Sequence, residues 1–208
     1  PLKSKTMKKS FQEALVNRRS YYRLSDKSPV SDGKIVEMLH LAIRHVPSAF
    51  NSQSTRMILL LGEHHRRLWD IVKMELKKIV SPDSVKNTER KIDNGFRSGY
   101  GTVLFYEDRT AVKKLQDENP LYRDRFPIWA QQTSAMHQFA VWTILEDMGF
   151  GASLQHYNPI IDCAVRKEWN ISGTWELIAQ MPFGSPAEDM LNKIFLPEEE
   201  RVLVFGEQ

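Results

Sequence analysis

Two hydrophobic patterns alternate along the chain, one of apolar residues at helical spacing and one of short unbroken apolar runs. Ser10-Phe11-Gln12-Glu13 forms a capping box that opens a short first helix ending near Arg18-Arg19-Ser20. Ile35, Leu39, Ala42, Ile43 and Val46 recur three and four apart, predicting a second helix from about Ser31 to His45, stopped by Pro47. Met57-Ile58-Leu59-Leu60-Leu61 shows no polar alternation and is too short for a helix, so it predicts a strand covered on both faces. Leu68, Trp69, Val72, Leu76 and Ile79 mark another helix, and the polar stretch Ser81 to Ser98 follows as a helical candidate. Thr102–Tyr106, Trp175–Met181 and Arg201–Phe205 read as three further strands.

The most apolar helix is predicted from about Ile128 to Met148, where Phe139-Ala140-Val141-Trp142 and Ile144-Leu145 leave little polar face. Such a helix belongs inside a protein, with Met136, Phe139 and Trp142 in the core and Phe126 and Trp129 packing at its start. Gly149 ends it, residues 150–157 form a turn, and Asn158-Pro159 caps and opens a last helix. Strands mixed with long helices, without regular βαβ alternation, give an α+β fold with a mixed central sheet flanked by helices.

At 208 residues with 41% hydrophobic and 26% charged residues, the chain supports one core without disulfides or metals. A tail over 1–9 would precede a single domain over 10–208, with Met7 read as the natural start. The only cysteine, Cys163, excludes an intrachain disulfide and reads as a small buried hydrophobe. Four of the 29 basic residues fall in the first ten positions, so the remaining 25 face 26 acids and bulk attraction to nucleic acid is not expected. No apolar run approaches the roughly 20 residues of a spanning helix, and no signal peptide is visible, so the cytoplasm is the default expectation and no membrane partner is expected.

Common catalytic templates fail. Gly149-Phe150-Gly151 has Leu154 at the third glycine position of a dinucleotide fingerprint and follows a helix, and Walker A, G-x-S-x-G, H-E-x-x-H and paired C-x-x-C are missing. His40, His45, His64 and His65 lack metal-ligand spacing and read as solvated surface residues. What remains suits a phosphorylated ligand: Arg18, Arg19 and Ser20 offer guanidinium forks and a hydroxyl at a helix end, and Asn51 and Gln53 offer amides for ring edges.

Asn17-Arg18-Arg19-Ser20, then Pro47-Ser48-Ala49-Phe50-Asn51-Ser52-Gln53, then Met136-His137-Gln138-Phe139-Ala140-Val141-Trp142 and the run from Gly149 to Pro159 together resemble the FMN-dependent nitroreductase family. The resemblance is nearest to its fatty-acid-repression-type subgroup and covers about Phe11 to Gly206. It implies an intertwined homodimer with FMN in two clefts between subunits, and Arg201–Phe205 as a strand exchanged with the partner. It also implies that Arg18 meets the FMN phosphate with Ser20, and that Arg19 lies beside them. Tyr22 stands where many relatives have lysine, with Arg23 as a possible compensation. Pro47, Ser48, Ala49, Phe50, Asn51 and Gln53 match a loop entering the site from the second subunit. Leu154, Gln155 and His156 match the segment along the flavin ring, where a backbone N–H near His156 addresses N5. Lys193 or Arg201 supplies a basic group near the phosphate or O2. The implied activity passes hydride from NADH or NADPH to flavin and then to a nitroaromatic or quinone acceptor in two steps, with no indispensable general base. A flavin-binding regulatory module with little turnover, or a non-flavin protein on the same scaffold, are the competing readings.

Overall fold

The computed structural model describes residues 9–190 and 192–206; the expectation for a natural start at Met7 lies outside them. The capping box forms as predicted: Ser10 Oγ accepts from the Glu13 N–H and the Glu13 carboxylate accepts from the Ser10 N–H, opening α1 (Phe11–Asn17). Next come β1 (Leu24–Ser25), α2 (Asp32–His45), β2 (Thr55–Leu61), α3 (Gly62–Lys77) and α4 (Pro82–Gly95). Then follow β3 (Gly101–Asp108), α5 (Arg109–Glu118), α6 (Phe126–Asp147), β4 (Gly151–Ala152), α7 (Asp162–Glu168) and β5 (Trp175–Pro186).

The sheet runs β1-β5-β3-β2, with β4 also on β5, and every named strand pair is antiparallel. The expectation of a mixed sheet is therefore corrected: among the described residues the parallel pairing is one isolated bridge, Ser20 to Ala152. β3 is central, and its side chains alternate between two cores. Val103 and Phe105 face Ile35, Leu39, Val141 and Leu145 on one side, while Leu104 and Tyr106 face Leu68, Trp69, Ile92 and Phe96 on the other. This coverage on both faces explains a strand without polar alternation. β2 has the same apolar composition but lies at the sheet edge, and Met57, Ile58 and Leu59 are only half-buried, so its predicted two-sided cover is incomplete within this chain.

Four other expectations change. Ile128, Met136 and Phe139 of α6 are exposed, so this helix buries one face, through Val141 and Leu145, and offers another to the outside. The last helix starts at Asp162 rather than at Asn158-Pro159, which lead into a turn. Cys163 is exposed, because it lies two residues, about 200° of helix, from buried Val165. Among the described residues, 201–205 pair with no strand, and Val202, Leu203, Val204 and Phe205 are all exposed.

Candidate functional site

Arg18 caps the C-terminus of α1, its N–H bonded to the Ala14 carbonyl. The chain then turns along β4: Ser20 bridges Ala152, and the Tyr21 N–H donates to the Ala152 carbonyl at 3.0 Å. This short contact joins the first motif to the segment after α6. The 154–156 run is in turn fixed to β5, with reciprocal backbone bonds between Gln155 and Gln180 at 2.7 and 2.9 Å. The Gln180 side-chain carbonyl also accepts from the Tyr157 N–H. Leu154 and Gln155 are half-buried here, whereas the His156 side chain is exposed.

Arg18, Arg19, Ser20, Tyr22 and Lys193 line one cleft of about 360 Å³, together with Glu188, Asp189 and Met190. Of the two basic candidates, the structure brings Lys193 to this cleft. Arg201 is exposed elsewhere, its N–H on the Glu198 carbonyl. Three cations face two carboxylates, and Glu188 is already engaged, accepting from the Tyr22 and Arg23 N–H groups at 2.7 and 3.1 Å. Arg18 is half-buried, yet among the described residues its guanidinium donates to no acceptor and pairs with no carboxylate. Burial and then Arg19 push its pKa below the ordinary value, and Glu146 partly offsets them. Burying a cation without a partner is costly, so this arrangement suits an anion that completes it.

The 47–53 loop is built differently. Phe50, Asn51 and Gln53 hold φ of 54°, 51° and 46°, left-handed values on either side of a right-handed Ser52 that only dense support maintains in residues with a Cβ. Ser48 supplies some of it, its carbonyl accepting from the Asn51 N–H and its Oγ from the Gln53 N–H. Arg56 donates to the Gln53 carbonyl at 2.6 Å while pairing with Asp108 at 3.0 Å. Behind the loop, the Ser54 and Thr55 hydroxyls each donate to buried Glu107 at 2.5 Å. Burial raises the Glu107 carboxyl above the usual range, and the two hydroxyls counter it. Phe50, although exposed, packs on Trp129 at 5.9 Å and on buried Phe126 at 5.2 Å, as the packing expectation for those two residues required. Glu107→Leu strands both hydroxyls and is expected to lower stability by about 1–2 kcal/mol, read as a drop in thermal midpoint with increased protease cleavage at residues 47–53.

The loop and the Arg18 cleft do not meet within one chain. Ser48 and Gln53 line a separate cavity of about 670 Å³ between α2, β2 and His137, and Pro47, Ala49 and Phe50 line an adjoining one. Among the described residues no cluster of three or more His, Cys, Asp or Glu side chains suits a metal. No helix among them is long and apolar enough to cross a membrane.

The profile of the Nitroreductase family matches residues 15–185. The chain belongs to the nitroreductase family. Nitroreductase CinD from Lactococcus lactis, solved in complex with chloramphenicol, superposes with a TM-score of 0.86 at 40% identity, covering 95% of this chain and all of that one. The same protein has been solved with 4-nitrophenol. Nitroreductase FRM2 of Saccharomyces cerevisiae is 32% identical over 193 residues, 92% of each chain, and HBN1 of that yeast is 33% identical over 195 residues, 93% of this chain and 96% of its own. This nitroreductase is therefore an oxidoreductase enzyme with the α+β family fold.

Of the residues named from the nitroreductase motifs, Arg18, Arg19, Ser20, Tyr22 and Lys193 share a cleft, and Leu154, Gln155 and His156 reach its neighbourhood through β4. No sequence motif pointed to Glu188, Glu107 or Glu146. A signal existed for the last: Glu146 and Asp147 are the only acids in α6, which holds no lysine or arginine, and the Lys9 ammonium pairs with Glu146.

Proposed function

We propose that this nitroreductase uses FMN, with its phosphate held by Arg18 and Ser20 and supported by Lys193. When bound, the flavin accepts hydride from NADH or NADPH and passes it to a small nitroaromatic or quinone acceptor in a second half-reaction. The observation that carries the reading is the Arg18 guanidinium, half-buried and with its donors unspent among the described residues. A guanidinium fork matches two phosphate oxygens at once, and Ser20 adds a hydroxyl at the same end. The reciprocal Gln155–Gln180 bonds fix the 154–156 backbone to β5 and so hold the neighbouring His156 N–H in place for the ring, and orientation does not depend on the exposed His156 imidazole.

The exposed face of α6 and the exposed run 202–205 support a homodimer in which the 47–53 loop of each subunit completes the other's site. Val202, Leu203, Val204 and Phe205 are each at least 66% exposed in the isolated chain, an apolar surface of the kind that a second copy covers. Light scattering at micromolar concentration is expected to give about twice 24.2 kDa; a monomer that retains flavin would rule out the shared site.

The activity test is a visible spectrum of the purified protein, before and after anaerobic NADH or NADPH and again after a nitroaromatic or quinone. Yellow colour that bleaches with nicotinamide and returns with acceptor is the expected result. Colour that never bleaches overturns the proposed turnover in favour of a binding module.

A further inference from the structure

The Arg18 guanidinium lies over the Trp142 ring, 4.4 Å from its centroid. Trp142 belongs to α6 and does not itself line the Arg18 cleft, which it reaches only through the arginine. Its Nε1 is buried without a hydrogen-bond partner among the described residues. An indole with a stranded donor is a poor choice for packing alone, since phenylalanine would fill much of the space without that cost. What tryptophan adds is the most electron-rich face available to a cation.

The two surfaces of the guanidinium are then divided. Its central carbon sits over the indole face, and its N–H donors, engaged by no acceptor among the described residues, stay available for a phosphate. Glu146, whose field also reaches Arg18, would compete for those donors if it were free. It is held instead by Lys9, whose ammonium bonds both its carboxylate and its backbone carbonyl. An arginine loses considerable rotamer freedom when it grips an anion, and a platform that has already fixed the side chain removes part of that cost from the binding step.

We infer that Trp142 is a positioning residue that makes the enzyme select a flavin carrying a terminal phosphate over the same flavin without one. The inference rests on the proposal that Arg18 holds the FMN phosphate. Trp142 acts through Arg18 alone, so its effect falls on the ratio of FMN to riboflavin affinity rather than on flavin affinity in general.

The test is fluorescence titration of flavin-stripped, refolded-checked wild type, Trp142→Leu, Trp142→Phe and Arg18→Ala with FMN and, separately, with riboflavin. Trp142→Leu is expected to lower the FMN-to-riboflavin affinity ratio about fivefold and Trp142→Phe about twofold, following the strength of the aromatic face. Riboflavin affinity should be unchanged in both. Equal weakening of both flavins by Trp142→Leu would mean a merely structural role and would overturn the inference. If Arg18→Ala lowers the ratio and Trp142→Leu does not, the positioning role alone fails; if Arg18→Ala leaves the ratio unchanged, the phosphate assignment fails and the inference with it. Should Trp142→Leu not fold, uniform labelling with 5-fluorotryptophan keeps the size of the ring and weakens its face toward a cation. The other four tryptophans, Trp69, Trp129, Trp169 and Trp175, do not line the cleft, so a lowered ratio supports the platform and an unaltered one overturns it.

Discussion

Replacement of Arg18 by alanine is expected to weaken FMN binding by about 1.5–3 kcal/mol, roughly ten- to hundredfold in Kd. The size follows from the position of the side chain. A surface arginine would contribute little, because water screens it and its side chain is free. Arg18 is half-buried, laid on Trp142 and without a carboxylate partner among the described residues, so its charge is already partly desolvated before an anion arrives. Arg18→Lys should recover only part of the loss, since an ammonium cannot fork across two oxygens. Calorimetric titration of the flavin-free protein measures both, and an unchanged Kd in Arg18→Ala would remove Arg18 from the cofactor site.

The same residue shows how far the sequence reached. Arg18, Arg19 and Ser20 were legible because a capping box fixes where α1 begins, and a helix of seven residues then sets where its C-terminal end presents them. The partners of Arg18 were not. Trp142 and Glu146 are distant in sequence, and apolar periodicity in α6 says that a residue is covered without saying by what. For the same reason Met136 and Phe139, expected in the core, lie exposed: a helix apolar around its whole circumference can be enclosed by its own chain or by another one, and the hydrophobic pattern is identical. The Arg201–Phe205 run meets a similar limit: an apolar run with two valines has the composition of a strand, yet it takes no strand structure in this chain, and composition alone does not say what covers it.

The helical period of α3 carries a signal that the spacing of its histidines does not. His65 was expected at the surface, yet it is 1% exposed. It stands three, four and seven positions before Leu68, Trp69 and Val72, all fully buried, so it lies on the buried stripe of α3 while His64 points about 100° away. Its ring is satisfied rather than free. Nε2–H donates to the Arg97 carbonyl at 3.2 Å, and Nδ1 accepts from the Thr102 hydroxyl at 2.9 Å, which in turn accepts from the Trp69 indole N–H at 3.1 Å. A polar triad of this kind at the centre of an apolar core is tolerated because every donor has an acceptor.

That arrangement makes stability depend on pH in a defined window. Burial pushes the His65 pKa down to about 4 from 6.5, opposed by the bond to the Arg97 carbonyl. Between these values the unfolded chain binds a proton that the folded chain excludes, so stability rises with pH across this interval. It is fully present above about pH 6.5, falls as pH drops toward 4, and the loss from this residue amounts to about 3 kcal/mol. Thermal melts from pH 4 to 7.5 should therefore show a midpoint that declines steeply below pH 6.5, beyond the decline carried by the surface carboxylates. In His65→Gln, a side chain that retains an amide donor and acceptor but does not titrate, the His65 share of this extra decline should disappear even though the neutral-pH midpoint is lower, leaving the share of His137, whose pKa burial also lowers. A His65→Gln protein with the same pH slope as wild type would show that the imidazole is not held neutral in the core.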